Sequence, residues 1–444
     1  MKNSQNINGN DELLFNIDDK PNLLTQIIMG LQNIFAAFGG IIAVPLVICS
    51  ALGLDGATST TVLSATILAS GIATIIQSKG IGRVGARVPT IMGTDFTFVS
   101  PALAVGTLPG IIGATILGSL AEIILSFFIK PLMKLFPPLV TGTVVCLIGL
   151  TLIPVSMDWA AGGAGAADYG SLRNLCIAMF VMIITILLNR YGKGMVSSAS
   201  ILIGMAIGYV VCIFLGMVDF TLVKEASWFS LPNIFEYGVD FNFANVIAFI
   251  PAYIVTTIET VGCLSSVCEV SKIKADDKII GRGVLADGIG SAIAASLGSF
   301  PNTTFSQNVS LIPLTRNASR AVAIMAGILL IGLGLFPKFA ALINIMPQPV
   351  LGGAGIVMFG TIAAAGIRTL SSVKINNRNL IIIATSIGLG LGVTFRPDFI
   401  AHLPKALNMI FSSGISTGTI VALVLNKVLK EEKNDEVDEN GKVA

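Results

Sequence analysis

Four acidic residues lie inside apolar stretches of this 444-residue sequence, namely Asp95, Glu122, Glu259 and Asp287. A charged side chain within a membrane span is costly, so each is a functional hypothesis by default. Glu259 stands in the stretch TTIETVG, residues 256–262, with no Lys or Arg within a helical turn. Burial favours the neutral form of such a carboxyl, which can then hold a proton, hydrogen-bond a neutral solute and exchange the proton during transport. The alternative is a carboxyl that nearby Thr and backbone groups satisfy.

The other three acids each have more than one interpretation. Asp287 lies among small residues that permit close helix packing, where it accepts from backbone amides of a broken segment, relays protons or braces the helices. Asp95 precedes FTFVS, residues 96–100, whose composition predicts a short extended piece. Asp95 either caps the half-helix that follows or lines a binding site. For Glu122, helix packing is the first interpretation.

One apolar stretch, Phe300–Arg316, is interrupted by a polar middle and by two prolines. In lipid, irregular backbone persists only where protein or a water-lined cavity satisfies its polar groups. Short Pro-broken segments therefore indicate the binding site of a transporter. The polar side chains predicted to face a small polar solute near the bilayer midplane are Ser306, Gln307 and Asn308.

Amide and aromatic side chains suggest what kind of solute this is. Gln307 presents an acceptor and a paired donor, which suits the edge of an amide-containing heterocycle. Asn308 either does the same or ties its own loop together. Phe96, Phe98 and Phe305 either stack on a planar ring or simply pack.

Composition places the chain in a membrane. It is 54% hydrophobic and 12% charged, with a mean hydropathy of +0.86, whereas soluble domains carry about 25% charged residues. A net charge of +2 argues against a nucleic-acid partner. The six cysteines form no Cys-x-x-Cys pair and the one histidine is His402, so we expect no metal site, no cofactor and no structural disulfide. Without a nucleophile–base pair, an enzyme is not favoured.

A span needs about 20 apolar residues. On that rule the sequence predicts fourteen transmembrane segments, the third and tenth of them broken, at 27–50, 58–77, 88–105, 109–129, 138–156, 172–189, 195–218, 245–267, 281–299, 301–315, 319–336, 348–367, 379–395 and 407–429. With both termini cytoplasmic, 22 of the 27 Lys and Arg residues fall on the cytoplasmic side, as the positive-inside rule requires. We therefore expect a multi-pass protein of a bacterial inner membrane. Residues 1–22 lack the apolar core of a signal peptide, and the charged residues 430–444 are predicted to be disordered.

The two halves of the chain resemble each other. The sequence FPPLVTG, residues 136–142, is echoed 210 positions later by MPQPVLG, residues 346–352. At the same interval, Val-Ser at 99–100 matches Val-Ser at 309–310. Seven segments per repeat is an odd number, so the second copy is inverted in the membrane, an arrangement found in secondary transporters.

The stretch QNVSLIPLTR, residues 307–316, resembles the signature of the nucleobase–ascorbate transporter family, also called nucleobase:cation symporter-2. That signature reads Gln/Glu/Pro-Asn-x-Gly-x-x-x-x-Thr-Arg/Lys/Gly. ETVG at 259–262 resembles the acidic motif of the family's eighth span, and GTDF at 93–96 resembles its third-span turn. The resemblance covers essentially the whole chain.

The resemblance implies an all-α fold of fourteen segments in two inverted repeats, with short extended pieces in segments 3 and 10. It also implies a division into domains: a core domain of residues 23–136 and 245–337, a gate domain of residues 137–244 and 338–429, and cytoplasmic tails at 1–22 and 430–444. Substrate then sits between core and gate, and two copies associate through their gate domains.

The resemblance further implies a role for each candidate residue. Glu259 and Gln307 hydrogen-bond a nucleobase, backbone near Phe96 and Ser306 completes the contacts, and Asp287 serves coupling. Gln at the first signature position resembles xanthine and urate carriers more than uracil carriers. The expected function is import of such a purine with protons. Alternatives are a carrier of uracil or another nucleobase, and an anion carrier of similar fold.

Three positions depart from the family pattern. Ser310 stands where the signature has Gly, and Cys263 stands where many purine carriers have a second acid. Gln32-Asn33 replaces the usual Gln-His of the first span. These departures leave the coupling ion and the transported base open.

Overall fold

The computed structural model describes residues 13–131 and 137–429. Helices dominate the first half of the chain. They are α1 (Leu23–Ala51), α2 (Gly56–Lys79), α3 (Val99–Val105), α4 (Leu108–Leu125), α5 (Pro138–Ala160), α6 (Leu172–Tyr191), α7 (Met195–Ser198), α8 (Ser200–Phe214) and α9 (Thr221–Glu225). Side chains of Asn22 and Asp55 cap the starts of α1 and α2 by accepting from backbone amides of the first turn.

The second half is helical in the same way. Its helices are α10 (Phe243–Val270), α11 (Asp277–Ser296), α12 (Leu311–Thr315), α13 (Arg320–Gly334), α14 (Pro337–Asn344), α15 (Gln348–Leu370), α16 (Asn377–Phe395), α17 (Lys405–Phe411) and α18 (Gly414–Val428). Nine helices of the described ranges are long and apolar enough to cross a membrane. They become ten if α13 and α14, which meet at an 81° bend, count as one span.

Each of the fourteen predicted segments coincides with one of these helices, with a pair of shorter ones, or with a broken element. Segments 3 and 10 are the broken ones. Each contains a three-residue strand, β1 (Met92–Thr94) or β2 (Asn302–Thr304), followed by a short helix. Pro89 and Pro301 precede the strands, and proline cannot continue a helix because it lacks an N–H.

The short extended pieces expected in segments 3 and 10 are therefore confirmed, but their position in segment 3 was predicted wrongly. Residues 96–100 are not extended, because Phe96–Phe98 form a 3₁₀ turn that leads into α3. The strand lies before Asp95, in the small residues Gly93 and Thr94, where the composition gives little β signal. The predicted tail at 430–444 lies outside the described residues, as do residues 1–12 of the N-terminal tail.

Several helix pairs occur at corresponding positions of the two halves. The most extensive contact joins α5 to α15, at matching places in the two halves. The pair α2–α13 has its counterpart in α11–α4, and the pair α1–α13 has its counterpart in α10–α4. Likewise the pair α6–α15 has its counterpart in α16–α5, and the pair α6–α8 has its counterpart in α16–α18.

Candidate functional site

The two broken segments meet as a two-stranded antiparallel sheet. Its register pairs Met92 with Thr304, Gly93 with Thr303 and Thr94 with Asn302. Such short strands need support from their surroundings. The hydroxyl of Thr74 on α2 accepts from the Met92 amide at 2.9 Å, and the hydroxyl of Ser291 on α11 accepts from the Asn302 amide at 3.0 Å. Irregular backbone inside the bundle thus has protein partners, as the apolar medium requires.

Asp287 is fully buried and fixes β2 in place. Its carboxylate accepts from the Thr304 amide at 3.2 Å and from the Thr304 hydroxyl at 2.9 Å. It also accepts from the hydroxyl of Thr260 on α10 and from the hydroxyl of Thr303 at 3.4 Å. The predicted acceptance from a backbone amide of a broken segment is therefore confirmed. With its lone pairs occupied, Asp287 braces α10, α11 and β2 together.

Gln77 on α2 completes this network, and sequence reasoning missed it. It is fully buried, and its amide donates to Asp287 at 3.0 Å, to the Thr304 hydroxyl at 3.0 Å and to the Gly283 carbonyl at 3.1 Å. Its oxygen accepts from the Ala86 amide at 2.9 Å. A polar amide near the end of an apolar helix was the available signal, because such a group needs partners when buried.

Glu259 lies on α10, where this helix passes the β1–β2 sheet. The place where the two broken segments meet in this sheet is here called the crossing. The hydroxyl of its neighbour Thr260 is 3.1 Å from the Thr303 hydroxyl of β2. The Glu259 and Asp95 carboxyls are close enough to interact electrostatically. The side chain is partly exposed, while its Oε2 atom is buried and has no hydrogen-bond partner among the described residues. Within residues 13–131 and 137–429, one oxygen of Glu259 is therefore without a hydrogen-bond partner at the crossing.

Asp95 takes the first of the two roles that the sequence left open, since it caps the turn after it. Its Oδ1 accepts from the Thr97 amide at 2.5 Å and so caps the 3₁₀ turn that leads into α3. It is 7% exposed and also meets Glu259. Two nearby carboxylates repel each other when both are ionised.

Glu122 on α4 is fully buried and faces α10. The Thr256 hydroxyl donates to its Oε1 at 3.3 Å, and its Oε2 has no partner among the described residues. Thr256 lies one turn before Glu259, so Glu122 belongs to the same helix interface without reaching the strand crossing. Helix packing, the first interpretation, agrees with this position.

The loop after β2 presents two of its three predicted polar residues. Ser306 and Gln307 are exposed, whereas Asn308 is buried. The Asn308 amide donates to the Asn33 backbone oxygen at 2.9 Å and to the Asn33 side-chain oxygen at 3.0 Å. Asn308 therefore ties the loop to α1, whereas the sequence had offered a tie within its own loop. Asn33 is one of the three departures, and here it is the partner that anchors the loop.

The three candidate aromatic residues differ in what they contact. Phe98 is buried against Phe249 and Tyr253 inside the bundle, which is plain packing. The Phe305 ring fills the space above Gly93. Phe96 meets Phe359 of α15 edge to face, with ring centroids 5.1 Å apart. The sequence did not reveal this contact between Phe96 and Phe359.

The other two departures sit close to this site. The Ser310 hydroxyl donates to the Gln307 backbone oxygen at 3.1 Å, within the turn that carries Gln307. Cys263 is buried one turn after Glu259, and burial keeps it an apolar packing residue. No group of three His, Cys, Asp or Glu side chains in the described ranges could hold a metal ion.

A bundle of apolar helices with two broken segments crossing inside it, and with a carboxyl oxygen left unpartnered at the crossing, is characteristic of a secondary transporter. The protein is thus a multi-pass membrane protein built like a transporter. The family model Xan_ur_permease, described as "Permease family", matches residues 24–399. The chain belongs to this xanthine/uracil permease family, nucleobase:cation symporter-2, as its signature predicts.

Relatives of known name cover nearly the whole chain. It is 66% identical over 440 residues to the Clostridium perfringens protein named "Putative purine permease CPE0397", covering 98% of this chain and 97% of the relative. It is 40% identical to the uric acid transporter UacT of Escherichia coli, covering 90% of this chain and 85% of the relative. It is 39% identical to the xanthine permease of Bacillus subtilis, covering 90% of this chain and 92% of the relative.

Solved structures share the fold. The transmembrane domain of the cyanobacterial bicarbonate transporter BicA superposes with a TM-score of 0.62 at 14% identity, covering 88% of this chain and 99% of that domain. SLC26A9 also gives a TM-score of 0.62, at 11% identity, covering 92% of this chain and 66% of that chain. At such low identity the likeness concerns the architecture alone.

Proposed function

We propose that the protein imports a purine nucleobase, xanthine or urate, together with protons. The observation that carries the proposal is Glu259, whose Oε2 atom has no partner among the described residues at the crossing of the two broken segments. A planar purine offers N–H and C=O groups along one edge. Such an edge can pair with a carboxyl and an amide that face the same space.

The binding residues follow from the crossing. Glu259 is the principal ligand, and the exposed amide of Gln307 sets which base is preferred. Ser306 and the backbone near Phe96 complete the contacts, since both lie at the ends of the paired strands. Asn308 acts by holding the loop on Asn33. The names of the relatives, which mention purines, uric acid and xanthine, favour a purine over uracil.

Proton coupling is proposed for the Glu259–Asp95 contact, with Asp287 as the acid that holds the crossing together. A proton on one carboxyl of the pair lets it donate to the other or to the base. Movement of the site between the two sides of the membrane then carries base and proton together. Asp287 keeps the crossing intact because it accepts from α10 and from β2 at once.

The proposed architecture is fourteen segments in two inverted repeats of seven. The recurring helix pairs support it, and so does the 210-residue interval between β1 and β2. Residues 23–136 and 245–337 form the proposed core domain, and residues 137–244 and 338–429 the proposed gate domain. The core domain moves against the gate domain in alternating access. The protein lies in a bacterial inner membrane with both termini cytoplasmic. Two copies form a homodimer through their gate domains.

An anion carrier is the second candidate, because the solved neighbours include a bicarbonate transporter. The names of the relatives mention purines, uric acid and xanthine rather than an inorganic anion, which speaks against this alternative. Half-helix N-termini would have to hold the anion. An enzyme is not proposed, since the named relatives are transporters.

Uptake of radiolabelled xanthine, urate and uracil tests the proposal, in bacterial cells that lack their own base carriers. Wild type and Glu259→Gln are compared with and without a protonophore, and Glu269→Gln is the control because it is exposed on the same helix. We expect saturable purine uptake that both the protonophore and Glu259→Gln abolish, while Glu269→Gln is normal. Uracil preference, bicarbonate uptake or a chemically changed product would each refute the proposal.

A further inference from the structure

The N-terminal segment 13–20, here called the strap, runs along the outside of the second broken segment. Its residue Phe15 forms a parallel β-bridge with Asn317, just after α12 ends. The Leu14 amide donates to the Arg316 carbonyl at 2.8 Å, and the Phe15 carbonyl accepts from the Ala318 amide at 2.9 Å. The Ile17 carbonyl accepts from the Arg320 amide at 3.0 Å. The strap thus pairs, like a short strand, with residues 316–320 at the end of α12.

Side chains reinforce this backbone contact. Asp18 and Arg320 form an ion pair at 2.7 Å, and the Ser319 hydroxyl donates to the Asp19 carbonyl. Leu13 and Ile17 pack against a buried apolar cluster that contains Ile312 of α12 and Leu264 of α10. The strap therefore contacts the elements that carry both proposed ligands, since Glu259 is on α10 and Gln307 precedes α12.

The helix that the strap meets is very short. α12 has five residues, Leu311–Thr315, which is too short for a stable helix by itself. It ends at Arg316 in the left-handed region, with φ of 52°, and the carbonyl of Arg316 accepts from the strap. At the other end of the same segment, Asn308 is tied to Asn33. Gln307 is thus on a loop whose two anchors are α1 and the strap.

We propose that the strap is a positioning element of the binding site, which fixes the end of α12 and thereby sets where Gln307 lies. The family model begins at residue 24, so the strap lies outside the matched region. The positioning role rests on the proposed function, because Gln307 contacts a base only if the protein carries one. The structural contact itself does not depend on the substrate.

Leu14→Pro tests the strap, with Leu14→Ala as the matched control. Proline removes the N–H that donates to Arg316, whereas alanine keeps it, and the Leu14 side chain is exposed. Hydrogen–deuterium exchange on the purified full-length protein reports on residues 311–320, and xanthine uptake gives the KM and the maximal rate. We expect Leu14→Pro to speed exchange of this stretch and to raise KM by about fivefold, as for one lost hydrogen bond, with little change in maximal rate.

Swapping the charges of the Asp18–Arg320 ion pair gives a second test that introduces no proline. Asp18→Lys and Arg320→Glu should each speed exchange of residues 311–320, and the double variant should restore the wild-type rate. Unchanged exchange in Leu14→Pro overturns the proposal, and so does faster exchange with an unchanged KM. If wild type carries no purine, the proposed function fails and the strap has no role in base binding. Faster exchange in Leu14→Pro would then still establish the contact between the strap and residues 316–320.

Discussion

Gly93 and Thr303 face each other across the two-stranded sheet, and they are 210 positions apart in the chain. The same interval separates the repeated Pro-containing motifs at 136–142 and 346–352. The pairing therefore joins equivalent places of the two halves, with Met92–Thr304 and Thr94–Asn302 arranged symmetrically around the central pair. An antiparallel pairing with this register has a local two-fold axis through its central pair.

Gln307→Glu is predicted to change which base the protein prefers. The substitution removes the amide donor while keeping an acceptor of the same length, so a base that needs that donor loses a hydrogen bond. We expect the ratio of xanthine to uracil uptake to fall by about tenfold, measured by competition in whole cells. Glu269→Gln, which is exposed on α10, is the control. An unchanged ratio in Gln307→Glu would remove Gln307 from the site.

Asp287→Asn is predicted to destabilise the protein. An amide presents two donors where the carboxylate accepts from Gln77, Thr260 and Thr304, so at least one buried donor is left unpaired. The cost is about 1–3 kcal/mol for each unpaired group. Thermal unfolding in detergent should show a lower midpoint for Asp287→Asn. Asp277→Asn lies on the same helix in an exposed pair with Lys130 and should leave the midpoint in place.

Asn33→Ala and Asn308→Ala are predicted to be non-additive. Asn308 donates to the backbone oxygen of Asn33 as well as to its side chain, so Asn33→Ala removes only one of the two bonds. Asn308→Ala should therefore raise the KM for xanthine more than Asn33→Ala does. The double variant should match Asn308→Ala alone, because the shared bond is already lost. Additive effects in uptake kinetics would mean that the two residues act separately.

Gly149→Ala is predicted to loosen the contact between α5 and α15. A Cβ at this position would lie 2.6 Å from the Phe359 carbonyl oxygen, so the helices must separate. Overpacking of this kind costs about 1–3 kcal/mol and should lower the thermal midpoint in detergent. Gly360→Ala on α15 has no atom within 4 Å of the added Cβ and serves as the control. Equal midpoints for the two variants would contradict a tight α5–α15 interface.

The positions of the helices could be predicted from the sequence because apolar length is a local property. Each predicted segment coincides with a helix or a broken element, and prolines located both breaks. The signature and the acid at 259 identified the family for the same reason, since the residues are consecutive. The extended piece was misplaced by a few residues, because Phe and Thr after Asp95 carry more β signal than Gly93 and Thr94.

Contacts between distant residues were decided by the tertiary structure. Gln77 reaches Asp287 from a helix 210 positions earlier, and Asn33 anchors Asn308 from 275 positions away. Asp95 meets Glu259, and the strap meets α12, only after the broken segments have crossed. The sequence by itself determined that buried acids and a polar loop exist in an apolar chain. Which oxygens of those acids have partners among the described residues depends on the packing of both halves around one crossing.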